Sequence, residues 1–213
     1  MIFAAGFGTR MGELTATTPK PMLPLAGRPM IDHALAHLRE AGVSRIVANT
    51  HYLPDQIISH LVKAGVKTNH EDTILETGGG LRAALPLLDT SPVITINPDV
   101  VWKGPNPVSI LTQNWNENMN ALLMLVPSPE SRDTDDFSLE NGQICRSGPF
   151  RYTGLQLLRT DRLAEIAAPA FSLNAYWDHL MERGPVHGCV YPGQWQDVGT
   201  PEGLRAAEEM LTA

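Results

Sequence analysis

The sequence predicts an α/β fold built on a doubly wound, mostly parallel sheet. Short apolar runs alternate with segments whose apolar residues recur at helical spacing, and the connections between them are short. This alternation is typical of parallel strands with helices on both faces. A second observation is the Asn141-Gly142 pair between two apolar runs, which predicts a small β-hairpin excursion. The length of 213 residues fits a single domain.

Each strand is predicted from a short run of apolar and β-branched residues. The main runs cover residues 2–5, 45–49, 93–97, 121–126, 151–158 and 186–191, with a weaker, more polar run at 66–70. In parallel sheets, ligands bind beyond the carboxyl ends of the strands. Gly6 follows the run at 2–5 and Asp99 follows the run at 93–97, so both lie where a ligand is expected.

Helices are predicted where apolar residues recur every three or four positions between a start signal and a glycine or proline stop. They cover residues 29–41, 51–64, 81–88, 110–116, 161–166 and 173–183, and a last helix begins at Pro201 behind a capping Thr200. The triple glycine at 78–80 is predicted to be a turn before the helix at 81–88, which Pro86 strains or ends. The polar, acidic stretch at 128–136 is predicted to be a surface loop.

Composition excludes several classes of protein. Hydrophobic residues make up 43% and charged residues 18%, as in a folded globular chain. The net charge of −7 makes nucleic acid a poor partner, because that binding depends on neutralising phosphates. No apolar run is long enough to span a membrane, and neither cysteine has metal-ligand spacing. We expect a cytoplasmic monomer or small homo-oligomer with no membrane or nucleic-acid partner.

The stretch from residue 2 to 24 has the features of a phosphate-binding loop. Gly6 and Gly8 follow the first strand, where missing Cβ atoms and positive φ let backbone amides approach an anion. Arg10 and Lys20 supply cations, and the prolines at 19, 21 and 24 predict extended backbone around the lysine. The spacing fits neither the dinucleotide fingerprint nor the Walker loop. An ordinary turn with solvated surface cations is the alternative.

Two acidic residues are candidate metal ligands. Asp99 ends an otherwise apolar strand, where packing gives no reason for an acid, and Asp197 precedes the last helix. A turn or capping role is the alternative for each, although Thr200 is better placed to cap that helix. Mg²⁺ in phosphate chemistry is held by one or two carboxylates with water and phosphate oxygens.

These segments resemble the sugar-1-phosphate nucleotidyltransferases. The similar segments are AAGFGTRM, TPKPMLP, ETGGG, NPDV and WQDVGTP, so the resemblance spans nearly the whole chain. Within that family, the chain is most similar to the short enzymes that activate N-acetylmuramate 1-phosphate with UTP in cell-wall recycling. The resemblance implies a Rossmann-like nucleotide-diphospho-sugar transferase fold over residues 1–213, with nucleotide bound by about 1–126 and sugar phosphate by about 127–213.

The resemblance also implies partners, a cofactor and roles for residues. The partners are a nucleoside triphosphate and a sugar 1-phosphate, and the cofactor is Mg²⁺ on Asp99 and Asp197. Arg10 would neutralise the β and γ phosphates, while Lys20 would bridge the α-phosphate and the sugar phosphate. The nucleotide would contact Ala4, Ala5, Gly6, Gly8, Thr9, Glu71, Glu76, Gly78 and Gly79, with backbone groups reading uracil, and the sugar would contact Thr153, Gly154 and Asn174.

Several alternatives stay open. Glu76 also suits a helix N-terminus, where the dipole favours an acid. Asn174 and Trp177 could be simple helix residues. A mannose-1-phosphate guanylyltransferase would use the same loop and acidic pair, and a sugar-nucleotide-binding module without catalysis is the alternative from another class. Whether the 128–136 loop closes as a lid is not decided by the sequence.

Overall fold

A computed structural model describes residues 1–129 and 135–213. The strands are β1 (Ile2–Phe3), β2 (Pro24–Leu25), β3 (Arg28–Pro29), β4 (Val47–Thr50), β5 (Lys67–His70), β6 (Val93–Ile96), β7 (Val100–Lys103), β8 (Ala121–Pro127), β9 (Asp135–Glu140), β10 (Gln143–Gly148), β11 (Phe150–Leu158), β12 (His187–Val190) and β13 (Gln194–Asp197). The helices are α1 (Met30–Glu40), α2 (Pro54–Lys63), α3 (Glu76–Leu88), α4 (Pro107–Asn114), α5 (Leu173–Met181) and α6 (Pro201–Thr212). The predicted α/β fold is confirmed.

A nine-stranded sheet forms the centre of the fold, in the order β5-β4-β1-β6-β11-β8-β12-β10-β9. The first four of these strands pair in parallel, as the sequence predicts. β11 runs antiparallel to both β6 and β8, whereas β12 is parallel to β8. The sheet is therefore parallel from β5 to β6 and mixed from β6 to its other edge. The predicted hairpin, β9 and β10, extends this sheet at its far edge.

Helices cover both faces of the sheet. Alternate residues of β8 face opposite sides, so that Leu122 and Met124 belong to one apolar core and Leu123 and Leu125 to the other. Helices α1, α2 and α4 pack in the first core, and α3 and α5 pack in the second. A third, smaller cluster joins α6 to the segment after β1. Within the described residues, no helix has the length and apolarity needed to cross a membrane.

A two-stranded antiparallel ribbon of β7 and β13 lies beside the main sheet and has no counterpart in the prediction. It pairs Asp197 with Val100 across 97 positions of sequence. Because Val100 directly follows Asp99, this ribbon brings the two predicted metal ligands together. The segment around Trp195, predicted as the approach to the last helix, is the second strand of that ribbon.

Several local predictions are wrong or fall outside the described part. The glycines at 78–80 lie inside α3 and not in a turn before it, and α3 continues past Pro86 to Leu88. The helix predicted at 161–166 is a single 3-10 turn, Leu163–Glu165. Ser172 makes no side-chain cap for α5, and the amide of Leu173 donates to the Thr77 hydroxyl at 2.9 Å. The predicted loop at 128–136 falls largely on residues 130–134, outside the described part.

Candidate active site

The glycine loop after β1 is held in place by hydrogen bonds at its start. The amide of Ala4 donates to Asn49 Oδ1 at 2.9 Å, and Asn49 Nδ2 donates to Glu71 Oε1 at 2.7 Å. The other oxygen of Glu71 accepts from the amide of Leu75 at 3.0 Å. Asn49 and Glu71 are each 3% exposed. The carboxylate of Glu71 therefore links the loop to the segment that opens α3.

Lys20 projects into the same region from the proline-rich segment. It begins a one-turn 3-10 helix, Lys20–Met22, so the expectation of a wholly extended segment is correct only for its flanks, Pro19 and Leu23. Gly8 has φ of +67°, and a Cβ there would lie 2.9 Å from Lys20 Cβ. Gly8 therefore has to be glycine, both for its backbone conformation and for the close approach of the lysine stem.

Lys20 and Asp99 form an ion pair at the carboxyl edge of the sheet. Nζ lies 2.5 Å from Asp99 Oδ2, and the two side chains are 10% and 26% exposed. Removing a lysine from water to this extent is costly unless a partner compensates. The pair keeps the cation pointing at the end of β6, where the sequence predicts ligand binding.

Asp197 lies beside this pair. The amide of Val198 donates to the carbonyl oxygen of Asp99 at 2.8 Å, which fixes the two acidic residues as neighbours. Burial and then the negative charge of Asp99 raise the pKa of Asp197, while Lys20, Arg10 and Arg151 act in the opposite direction. Two carboxylates are thus held together in a site that favours added positive charge.

Arg10 reaches the acidic pair from the glycine loop. A Cβ placed on Gly199 would lie 2.9 Å from Arg10 Nη1 and 3.1 Å from Asp197 Oδ2, so both groups meet over this glycine. Arg10 is exposed to solvent. Its guanidinium can therefore contact a ligand while remaining next to Asp197.

Three adjoining cavities of about 210, 210 and 220 Å³ form one cleft along this edge of the sheet. The first is lined by predicted phosphate-loop residues and both cations: Ala4, Gly6, Gly8, Thr9, Arg10 and Lys20, with Asp99 and Gly199 opposite. It shares Gly6 and Asp99 with the second cavity, which shares Thr77 and Asn97 with the third. The cleft thus runs continuously from the cations to α5.

The second cavity has a polar wall made by the start of α3. It is lined by Ala5, Glu71 and Glu76, for which the sequence predicts nucleotide contacts, and by Asn49 and Thr77, which were not predicted. Both oxygens of Glu71 are engaged within the protein, so this residue supports the wall. Glu76 begins α3 with φ of +59°, a strained conformation for a residue with a side chain.

Gly78 and Gly79 do not line the cleft, contrary to the sequence-based expectation. Their amides donate to the carbonyl oxygen of Phe171 at 2.8 and 3.1 Å, so neither amide is available to a base. A Cβ on Gly78 would lie 2.3 Å from the Phe171 ring, and one on Gly79 would lie 2.6 Å from the Pro169 carbonyl oxygen. These glycines allow the segment before α5 to pack directly on α3.

The third cavity lies between β11 and α5. It is lined by Asn174, for which the sequence predicts sugar binding, and by Asp136, Tyr152 and Trp177, which were not predicted as site residues. Asn174 is held by Arg146, whose Nη1 donates to its side-chain oxygen at 2.9 Å. Trp177 Nε1 donates to Gln156 at 2.7 Å, which fixes the indole that walls the cavity.

Thr153 and Gly154 differ from their predicted roles. Thr153 is fully buried, and its hydroxyl donates to the carbonyl oxygen of Met124 at 2.8 Å, so it faces the sheet and not the cleft. Gly154 has φ of +85° at an irregularity in β11, and a Cβ there would lie 3.0 Å from Asn97 Nδ2. Gly154 therefore makes room for Asn97, which lines the cleft in its place.

A family model described as the MobA-like NTP transferase domain matches residues 1–188. The chain belongs to the MobA-like NTP transferase family. This transferase is 34% identical, over 99% of its length, to N-acetylmuramate alpha-1-phosphate uridylyltransferase from Caulobacter vibrioides, and it covers 96% of that protein. It is 38% identical, over 95% of its length, to mannose-1-phosphate guanyltransferase from Emericella nidulans, of which it covers 61%.

The fold of this NTP transferase is shared with solved structures of low sequence identity. A UDP-glucose pyrophosphorylase complexed with UDP-glucose has a TM-score of 0.85 at 17% identity, with coverage of 99% of this chain and 97% of that chain. The family that the sequence motifs predict is confirmed, and the protein is an enzyme of the nucleotidyltransferase class.

Several polar residues that line cavities of this NTP transferase were not predicted, among them Asn49, Thr77 and Arg151. Asn49 and Thr77 line the second cavity, and Arg151 lines a further cavity together with Asp197. The available signal for Asn49 was a polar residue at the end of an apolar run, the same signal that identified Asp99. Arg151 has no comparable signal, because it opens a strand of mixed polarity far from the phosphate-loop motifs.

Proposed function

We propose that this enzyme transfers a uridylyl group from UTP to N-acetylmuramate 1-phosphate and releases pyrophosphate. The observation that carries the proposal is the meeting of the glycine loop, Lys20, Arg10 and the Asp99–Asp197 pair at the head of one cleft. The choice of UTP and of this sugar rests on full-length similarity to the uridylyltransferase from Caulobacter vibrioides. The product would serve cell-wall recycling.

The chemistry requires no general base. The second pKa of a phosphate monoester is about 6, so the attacking oxygen of the sugar phosphate is already ionised near pH 7. No histidine lines the three cavities in the described part of the chain, which agrees with this. The barrier is instead the repulsion between two polyanions, and positive charge has to lower it.

Lys20 and Arg10 supply that charge at different points. The ion pair with Asp99 keeps Lys20 at the end of β6, where it can bridge the α-phosphate and the entering sugar phosphate. Arg10 is exposed beside Gly199, so its forked guanidinium can bind the β and γ phosphates and stabilise the departing pyrophosphate. Amides of the Gly6–Gly8 turn would hold the same phosphate chain.

The acidic pair fits Mg²⁺. Asp99 and Asp197 are adjacent, and their mutual repulsion helps to raise the pKa of Asp197, which a divalent cation would relieve. The described residues offer no group of three or more metal-binding side chains, so water and phosphate oxygens would complete the shell, as magnesium prefers. When bound, the ion would neutralise charge that develops on the phosphates.

The rest of the cleft would divide between nucleoside and sugar. The second cavity, bounded by Ala5, Glu76 and Thr77, would take the base and ribose. The third, with Asp136 and Asn174 as polar groups and Trp177 as an apolar wall, would take the sugar. Residues up to about 126 would then bind mainly the nucleotide and the later ones mainly the sugar phosphate.

The test is a pyrophosphate-release panel of four nucleoside triphosphates against several sugar 1-phosphates with Mg²⁺. The proposal expects the highest kcat/KM for UTP with N-acetylmuramate 1-phosphate. Similarity to the Emericella nidulans enzyme makes mannose-1-phosphate guanylyl transfer the second candidate. Equal or faster turnover of GTP with mannose 1-phosphate would select that candidate. A wild-type protein that binds nucleotide but releases no pyrophosphate with any pair would instead be a binding module.

A further inference from the structure

We propose that Arg151 binds the phosphate of the sugar 1-phosphate on the side of the acidic pair opposite Arg10. The proposal rests on the proposed function and assigns a substrate-binding residue to it. Arg151 lines a cavity of about 410 Å³ together with Trp195, Gln196 and Asp197. This cavity is separate from the one that contains Arg10 and Lys20.

The strand that carries Arg151 places it at the correct edge of the sheet. β11 runs antiparallel to β6, and Gly154 in β11 pairs with Asn97, which follows β6. Arg151 precedes Gly154 by three positions, so it lies beyond the carboxyl end of β6, as Asp99 does. Arg151 and Asp197 line the same cavity. Arg151 is therefore placed beside one member of the acidic pair.

A buried carboxylate orients the side chain of Arg151. Nε donates to Asp135 Oδ2 at 2.9 Å, and the two side chains are 23% and 7% exposed. The same oxygen accepts from the Ser128 hydroxyl at 3.0 Å. Within residues 1–129 and 135–213, the two terminal nitrogens of Arg151 have no hydrogen-bond partner. One edge of the guanidinium is thus fixed, while the terminal nitrogens can bind an anion.

The geometry of phosphoryl transfer gives such a cation a role. The attacking and leaving oxygens lie roughly in line, on opposite sides of the reacting phosphorus. Arg10 stands beside the glycine loop, where the departing pyrophosphate would lie. A dianionic nucleophile must approach from the other side, where Lys20 compensates Asp99 and a further cation beside Asp197 would lower the remaining repulsion. Arg151 is the cation of the described chain that lines the cavity on that side of Asp197.

The experiment compares R151Q and R151K with wild type in full initial-rate kinetics for both substrates. One charge-assisted phosphate contact corresponds to about 10- to 100-fold in binding. We expect the KM for the sugar 1-phosphate to rise by about that factor in R151Q and by less in R151K, with the KM for UTP within twofold. R159Q is the matched control, because Arg159 lies just after the same strand and pairs with the exposed Glu117.

The outcomes separate this proposal from the proposed function. If wild type turns over and R151Q leaves the sugar KM unchanged, or shifts mainly the KM for UTP, the role of Arg151 is refuted alone. If wild type releases no pyrophosphate, the proposed function fails. Calorimetric binding of N-acetylmuramate 1-phosphate then tests the role of Arg151 separately. At least tenfold weaker binding to R151Q, with unchanged binding to R159Q, supports this role. Equal binding to R151Q and wild type refutes it. R151K serves if R151Q does not fold.

Discussion

Replacing Glu71 with glutamine tests whether this buried carboxylate holds the cleft together. The two oxygens of Glu71 accept from Asn49 Nδ2 and from the amide of Leu75. A glutamine has one acceptor oxygen, so its NH₂ group must face one of these two donors. Turning Asn49 over does not help, because its NH₂ would then face the amide of Ala4. One donor–donor contact therefore remains in every arrangement.

The cost follows from the hydrogen bonds involved. A hydrogen bond to a charged group is worth about 1.5–3 kcal/mol, and a buried unpaired donor costs about 1–3 kcal/mol. A net loss of about 3 kcal/mol is expected, since Glu71 is 3% exposed and water cannot replace the lost partner. For a domain of this size, about 2–4 °C of Tm is lost per kcal/mol, so E71Q should melt about 6–12 °C below wild type.

The function should suffer together with the stability. The loop from Ala4 to Gly8 is anchored through Asn49 to Glu71, so we expect the KM for UTP to rise by about tenfold in E71Q. Differential scanning calorimetry and initial-rate kinetics measure the two effects. D72N is the control, because the Asp72 side chain is fully exposed, and it should leave both values unchanged. An E71Q enzyme with wild-type Tm and wild-type KM would refute this reasoning.

Three further substitutions separate folding from function. G6A should keep the wild-type Tm, because a Cβ at this position has no atom within 4 Å. It should raise the KM for UTP about tenfold, because the added methyl group would occupy space in the first and second cavities. An unchanged KM would contradict this. G78A should lose about 1–3 kcal/mol of stability in urea unfolding, because its Cβ would overlap the Phe171 ring, and a neutral result would show that the ring can move. D197N should raise the Tm measured in chelator at pH 7. Burial and Asp99 raise the pKa of Asp197 in the folded protein, so folding favours the protonated carboxyl. The contribution of this carboxyl to the free energy of unfolding is therefore complete below its pKa in the unfolded chain, about 4. It is lost as the pH rises through its pKa in the folded protein. The gain should vanish near pH 3, and a gain independent of pH would contradict the assignment.

Local patterns predicted most of the fold because they coincide with the final contacts. The apolar runs that form β4, β6 and β8 are buried on both faces of the sheet. A continuous apolar run is therefore enough to predict each strand without knowledge of its neighbours. The Asn141-Gly142 turn likewise carries its own backbone conformation, with φ of +51° and +79°. In such segments, propensity and tertiary packing favour the same structure.

The ribbon of β7 and β13 could not be predicted in this way. The second strand, Gln194–Asp197, is polar and only partly buried, and its partner is nearly a hundred residues away. A similar long-range contact explains the helix through 78–80. Glycine weakens an isolated helix, but here the missing side chains let Phe171 and Pro169 pack on α3. Tertiary contact thus overrides local propensity at both places.

In the candidate site, the charged residues of the phosphate loop and Asp99 were predictable, whereas Arg151 and polar supports such as Asn49 were not. Arg10, Lys20 and Asp99 sit in short sequence motifs, and the structure brings all three to one cavity. Thr153 was misplaced because the sequence does not show which way a side chain points next to the irregularity in β11. The register of β11 against β8 shifts by two residues between Tyr152 and Gln156, so simple alternation does not give the facing of the residues between them.

Nucleotidyl transfer by this enzyme is proposed to depend on the Asp99–Asp197 pair and its cations. The most direct measurement is the rate of pyrophosphate release by D99N, with UTP, N-acetylmuramate 1-phosphate and Mg²⁺, alongside calorimetric binding of UTP. We expect a rate at least about 10³-fold below wild type with UTP binding retained. D89N, at an exposed aspartate, should match wild type. A D99N enzyme that releases pyrophosphate at a rate within threefold of wild type would contradict the account.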